Sequence, residues 1–389
     1  MLKDQEFLRI PGPTPIPPSV MRASIEPMIG HRDPRMDELL AHLVPRLKPL
    51  FGTEKGEVFI LAGSGTLALE TSLLNLTRPH DKVLMLVTGA FGERFMKIAK
   101  AHGRDVLVHH TPWGEAVQPE DVQAYLKDHP DLRAVIATHS ETSTGVANPI
   151  ADIAEVVKKH SEALMIVDAV SSLGGMPLNM DRLGIDAVAT GSQKALMSPP
   201  GLALLALGER AQEVLETMDS PRFYNDLRLY RESFKQHTVP FTPAVSLLFA
   251  LNQALSLIEA EGLEAVFERH RLLRDMTRKG VQAMGLPLLV QDDRKSSWTV
   301  TAVRPDPKVA SAKQIRTMLH EHFGIVFAAG QGKIKDDIFR IGHMGYVSPS
   351  DVLQYIAALE STLALIQKKQ PDGSGVRAAQ EVYHAWHTK

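Results

Sequence analysis

Along the chain, short apolar runs alternate with longer stretches in which apolar residues recur every three or four positions. Val58–Leu61, Val83–Val87, Asp105–His109, Ala134–Thr138, Leu164–Asp168, Ala187–Thr190 and Leu202–Leu207 are the predicted strands. Several are continuously apolar rather than alternating, which suits strands covered by helices on both faces. Helices are predicted at 65–76, 92–102, 119–128 and 150–160 between them, after an earlier one at 36–50. This order predicts an α/β lobe built on a mainly parallel, seven-stranded sheet between helices.

Beyond residue 244 the texture changes. Two long helical stretches, Ala244–Glu261 and 263–284, lead into a smaller α+β lobe with a helix near 309–323 and strands at Trp298–Val303 and Phe339–Gly342. At the other end, PGPTPIPP (11–18) cannot propagate a helix, because proline lacks an amide donor and biases its predecessor toward extended geometry. We therefore divide the chain into an N-terminal arm (1–20), a large domain (21–260), a small C-terminal domain (261–370) and a flexible tail (371–389) that starts at PDGSG. The arm is expected to lie over another part of the protein or over a second subunit.

Composition narrows the function classes. A length of 389 residues suits two unequal lobes sharing a core. The formal net charge of −2 gives no electrostatic reason to expect nucleic acid or an anionic membrane as partner. No apolar run approaches the length that crosses a bilayer, and the charged, proline-interrupted N-terminus does not read as a signal peptide, so the cytoplasm is expected. There is no cysteine, which excludes disulfides, thiolate metal sites and a cysteine nucleophile. The 16 histidines are scattered rather than set at metal-ligand spacing, and no metal is expected.

Three segments carry chemistry. Ala62-Gly-Ser-Gly-Thr-Leu-Ala-Leu-Glu70 follows a predicted strand and opens a helix, so small residues let backbone amides approach an anion at the helix N-terminus. Ser64, Gly65 and Thr66 are candidate phosphate binders, although a plain tight turn explains this segment equally well by itself. Asp168 ends the apolar strand Leu164–Asp168, at the edge where parallel sheets bind ligands, or serves there as a turn residue. Lys194, in Thr190-Gly-Ser-Gln-Lys-Ala-Leu-Met-Ser-Pro-Pro-Gly, lies just beyond an apolar strand among small residues, a context that turns a lysine into a cleft. Burial there lowers the pKa of an amine, as a Schiff-base lysine requires.

With these segments in place, the sequence resembles the class V, fold type I pyridoxal phosphate aminotransferases, most of all the alanine–glyoxylate and serine–glyoxylate group. Val167-Asp-Ala-Val-Ser-Ser-Leu-Gly-Gly-Met-Pro-Leu-Asn-Met-Asp-Arg-Leu-Gly-Ile-Asp186, continued by Gly191-Ser-Gln-Lys-Ala-Leu, resembles the cofactor-lysine signature of that group. The likeness runs from Pro11-Gly-Pro-Thr-Pro to Phe339-Arg-Ile-Gly-His-Met-Gly345.

The resemblance implies that Lys194 forms the Schiff base and shuttles the proton, and that Asp168 pairs with the pyridine nitrogen. Ser64, Gly65, Thr66 and Gln193 would hold the phosphate, Phe91 would stack on the ring, and Ser143 would bond near the ring hydroxyl. Thr238, in Lys235-Gln-His-Thr-Val-Pro240, would reach the phosphate of a neighbouring subunit, which makes the expected unit a homodimer with shared sites. Lys235 stands where some relatives carry an aromatic hydroxyl. Arg340 would clamp the substrate carboxylate through its planar fork, and His31 would line the mouth of the site.

The implied reaction is ping-pong transfer of an amino group from alanine or serine to glyoxylate or another small 2-oxo acid. Ureidoglycine–glyoxylate transamination uses the same cofactor residues and stays open. Cysteine desulfuration is disfavoured because no cysteine can carry the persulfide. A catalytically silent protein of this fold would usually have lost Lys194 or Asp168, and both are present.

Overall fold

A computed structural model describes residues 6–236 and 238–388. Its centre is a seven-stranded sheet of β1 (Glu57–Ala62), β2 (Lys82–Val87), β3 (Asp105–His110), β4 (Ala134–Thr138), β5 (Leu164–Asp168), β6 (Ala187–Gly191) and β7 (Leu202–Leu207). The order across the sheet is β1-β7-β6-β5-β4-β2-β3. Only β7 runs antiparallel to its neighbours, β1 and β6; every other pairing is parallel.

Each strand serves two cores, because successive side chains leave a strand on opposite faces. Leu84 and Leu86 of β2 join one apolar cluster, whereas Val83, Met85 and Val87 join the other. This is why the strands read as unbroken apolar runs in the sequence. The helices Gly65–Leu76 and Ala90–Ala101 follow β1 and β2 and set their N-termini at the C-terminal edge of the sheet.

The smaller lobe holds an antiparallel sheet of Val300–Val303, Phe339–Gly342 and Ala328–Ala329, with Phe339–Gly342 in the middle. The strand expected from Trp298 begins two residues later, at Val300. The N-terminal arm ties the lobes together. Phe7–Leu8 pairs in parallel with Ile325–Val326 of the small lobe, and the Thr14 amide then donates to the Gln193 carbonyl of the large lobe at 3.1 Å.

The tail corrects an expectation. In place of a flexible segment over 371–389, Ser374–His387 forms a helix docked on the small lobe. Val376, Ala379, Val382 and Trp386 make the apolar stripe of that helix, at a spacing that keeps them on one face. The Arg271 guanidinium lies 4.5 Å from the Trp386 ring centroid and covers the last turn. Gly280 allows the close approach: a Cβ there would sit 3.1 Å from the Gly375 carbonyl oxygen. The hinge itself is real, since Gly373 precedes the helix with a φ of +72°.

Candidate active site

The site forms at the C-terminal edge of the sheet, where β1, β5 and β6 end within reach of one another. After β1, the helix Gly65–Leu76 begins at Ser64, whose hydroxyl makes no capping bond. Among the described residues, no acceptor is bonded to the amides of Ser64, Gly65 or Thr66. Gly65 and Gly191 pack backbone to backbone: a Cβ on Gly191 would lie 3.2 Å from the Gly65 nitrogen and 2.7 Å from Gln193 Oε1. That Gln193 oxygen is buried without a partner. Open amides and a helix dipole form a cradle suited to a phosphate dianion, and Gln193 joins it as a donor when its side-chain amide turns Nε2 in place of Oε1 toward the anion.

At the end of β5, Asp168 is 3% exposed and accepts a bond from the Val170 amide at 2.9 Å. Burial pushes its carboxyl up to about 7, against the pull of Val170, and the nearby carboxylate of Glu141 adds to the rise. Beyond β6, Lys194 is 8% exposed, and its Nζ donates to the Pro11 carbonyl of the arm. Burial brings its amine down to about 8, and the positive field of Arg340 works the same way. The arm lies directly on this side chain. A Cβ on Gly12 would fall 2.6 Å from Lys194 Nζ, so only glycine fits at that position.

The small lobe contributes Arg340, from its central strand. Its Nε donates to Ala329 O at 2.8 Å and its Nη1 to Thr142 O at 3.0 Å, which leaves Nη2 with no bonded partner among the described residues. Burial lowers its guanidinium to about 10, opposed by Glu141.

Phe91 opens the helix Ala90–Ala101, with the Arg94 guanidinium 4.9 Å from its ring centroid. Ser143 Oγ accepts from the Ala90 amide at 2.9 Å and donates to Glu141 Oε1 at 2.6 Å. Ser64, Gly65, Thr66, Phe91, Ser143, Asp168, Gln193, Lys194 and Arg340 therefore gather at one sheet edge and the strand facing it. Two predicted residues make no bond to that cluster among the described residues. Thr238 follows the helix Leu227–Lys235, where its amide donates to Ser233 O at 3.0 Å. His31 sits in a turn and, among the described residues, its side chain is bonded only by its neighbour Arg32, at 3.3 Å. Lys235 pairs with Glu232 at 2.9 Å on the surface.

Sequence reasoning passed over Glu141 and Arg94. Glu141 lies two residues before the predicted Ser143, yet two of its donors, Phe91 and Gly92, are some fifty positions away. The available signal was the helix start Gly89-Ala90, which carries no capping side chain of its own and so needs an acceptor from elsewhere.

A family model described as Aminotransferase class-V matches residues 12–336. The chain belongs to that family. As a class V aminotransferase it is a pyridoxal phosphate enzyme, and an anion cradle, a buried carboxyl and a buried amine at one sheet edge are groups that fit such a cofactor chemically. The chain is 42% identical to the soluble hydrogenase small subunit of Synechococcus sp. (strain PCC 6716), over 98% of this chain and 99% of that one. It is 38% identical to the L-aspartate–glyoxylate aminotransferase of Paracoccus denitrificans, over 98% and 97%. Among solved structures, the ureidoglycine–glyoxylate aminotransferase of Bacillus subtilis superposes with a TM-score of 0.92 at 32% identity, covering 99% of each chain.

Proposed function

We propose that this class V aminotransferase moves the amino group of a small amino acid, such as alanine or serine, onto glyoxylate or another small 2-oxo acid. The observation that carries the reading is the meeting of a buried amine, a buried carboxyl and a half-engaged guanidinium: Lys194, Asp168 and Arg340. Glyoxylate as acceptor is supported by the relatives that use it. Ureidoglycine as donor remains the second reading, supported by the Bacillus structure. The hydrogenase name of the Synechococcus relative finds no support in this chain, which has no cysteine to bind a redox metal.

When bound, pyridoxal phosphate supplies an aldehyde that captures amines and a ring that accepts electrons from the α-carbon. Lys194 contributes an amine whose neutral form is accessible near pH 8, able to attack the aldehyde and later to take the α-proton on Nζ. Asp168, buried and raised, holds the proton on the ring nitrogen opposite its carboxylate. Arg340 presents its free Nη2 to the substrate carboxylate, which donor and acceptor share, so one clamp serves both halves of a ping-pong cycle. The open amides of Ser64, Gly65 and Thr66, with Gln193, would anchor the phosphate, while Phe91 would stack on the ring and Ser143 would bond near its hydroxyl. His31 lines the mouth in this reading.

A homodimer with shared sites belongs to the same proposal. Its supports are the exposed apolar side chains of Met21, Ile25, Met28 and Phe223, together with Thr238, which makes no bond to the Lys194 cluster among the described residues. Among the described residues no helix is long and apolar enough to cross a membrane. Operation in the cytoplasm completes the proposal, supported by a fold that holds without disulfides.

Single-turnover spectroscopy tests it. The protein loaded with pyridoxal phosphate is mixed separately with alanine, serine, aspartate and ureidoglycine. The productive donor bleaches the visible band and glyoxylate restores it. Lys194→Ala should remove the covalent band and lower turnover by on the order of 10⁴-fold or more. An unchanged band and rate in that variant would overturn the assignment.

A further inference from the structure

Glu141 is the one carboxylate in this region without an assigned task. It is fully buried, on the short strand Ser140–Glu141 beyond β4, in the loop that also carries Ser143. A charged carboxylate is costly to bury unless donors surround it. Here they do. Oε2 accepts from the Gly92 amide at 3.0 Å and the Phe91 amide at 3.2 Å, while Oε1 accepts from the Ser143 amide at 3.0 Å and the Ser143 hydroxyl at 2.6 Å. Two of these donors are first-turn amides of the helix Ala90–Ala101, whose own cap residue, Gly89, has no side chain. The carboxylate therefore caps a helix from a distance of about fifty residues and sits at the positive end of its dipole.

The packing leaves no slack. A Cβ on Gly89 would lie 2.3 Å from Ser143 Oγ and 2.5 Å from both Cγ and Cδ of Glu141. Glycine is required at position 89 because Glu141 and Ser143 occupy that space. The backbone of Phe91 and both polar groups of Ser143 thus hang on one side chain. Its charge also reaches Asp168 and Arg340, on the two sides of the site.

We propose that Glu141 is a positioning residue that fixes Phe91 and Ser143 as one unit against the cofactor ring. The proposal rests on the reading of Phe91 and Ser143 as ring contacts. In the wild type the ring is held at one angle by the Phe91 face and the Ser143 hydroxyl. Glu141→Gln leaves one acceptor oxygen and sets an NH2 against the donors of either Ser143 or Phe91 and Gly92, and a shortened side chain loses reach to one of them, so in both cases the two contacts are no longer tied to one group.

The test uses the full chain loaded with pyridoxal phosphate, as wild type, Glu141→Gln and Glu141→Asp. Three quantities are read: the induced circular dichroism of the visible band, the dissociation constant of the cofactor, and kcat against KM for the productive donor. A positioning role predicts that Glu141→Gln lowers kcat by on the order of a hundredfold, with KM changed by about threefold or less. The induced dichroism should fall by about half or more while the absorbance stays, since it reports the fixed asymmetry around the ring. Glu141→Asp, which keeps the charge, should recover part of both signals.

If Glu141→Gln melts lower but keeps wild-type dichroism and kcat, Glu141 is only a cap and the proposal fails. If Glu141→Gln does not fold, Glu141→Asp carries the test alone: reduced dichroism at full cofactor occupancy supports the role, and an unchanged spectrum overturns it. A wild type that binds no pyridoxal phosphate would instead sink the underlying assignment of function, which is a separate outcome.

Discussion

Asp168 and Asp186 are the same residue type, each 3% exposed, at opposite ends of neighbouring strands of one sheet. Asp186, just before β6, is fully engaged. Arg210 grips it with Nε at 2.9 Å and Nη2 at 2.6 Å, and the Met165 amide adds a third bond at 2.7 Å. Asp168, the last residue of β5, accepts one amide; Glu141 adds a like charge nearby, and the Lys194 and Arg94 cations offset the cost of burial only in part. Burial is common to both; satisfaction is not. The paired carboxylate ties the sheet to a helix, whereas the under-paired one keeps lone pairs that no cation among the described residues bonds. A buried carboxyl with spare lone pairs is the better mark of a ligand site than burial or strand position alone.

The contrast breaks most sharply in turnover. Asp168→Asn should reduce kcat by on the order of 10³-fold, since an amide cannot hold a proton on the ring nitrogen through a negative charge. Asp186→Asn, normalised to folded protein, should leave kcat close to wild type. Steady-state assays on both variants decide it, and a comparable kcat loss in Asp186→Asn would dissolve the distinction.

Stability should reverse the order. Removing one partner of a buried pair is costly, but Arg210 is partly exposed and regains water, so about 2 kcal/mol is expected for Asp186→Asn. Denaturant unfolding of the cofactor-free protein measures it, with Asp168→Asn losing nothing at neutral pH.

A further contrast is in pH. The Asp168 carboxyl lies at about 7 when folded and ordinarily at 3.8, so the folded state binds the extra proton between those values. Wild-type stability is thus fully supported below about 4 and declines as pH rises toward 7. The advantage of Asp168→Asn over wild type should therefore grow between pH 4 and 7 and then level off. The lowered Lys194 amine acts in the other direction above pH 8, and loss of the Asp168 charge lowers it further, so the comparison is read below that pH. A difference that stays flat with pH would show that Asp168 is not held protonated by its surroundings.

The parts that were legible in the sequence share a property: their signal is local. Continuous apolar runs gave Ala134–Thr138, Leu164–Asp168 and Leu202–Leu207 the bounds that the structure shows. Lys194 and Asp168 stood out because small residues and strand ends flank them in sequence. Glu141 did not, since nothing adjacent to it reveals that its donors come from Phe91 and Gly92. The tail misled for a related reason. PDGSG is a true break, but the helix after it is stabilised by Gly280 and Arg271, which lie in a distant helix.

By itself, then, the sequence determined the strands, their helical cover and the class of cofactor, because hydrophobic periodicity and short motifs act over a few positions. Tertiary structure alone decided which buried carboxylate is paired and which is open. It also decided that a glycine in the arm seats Lys194, and that a glutamate in one loop caps the helix of another. Those outcomes depend on groups brought together across more than a hundred residues in the case of Gly12, and about fifty in the case of Glu141. No window of the chain contains both partners, and only folding sets the distances on which their electrostatics depend.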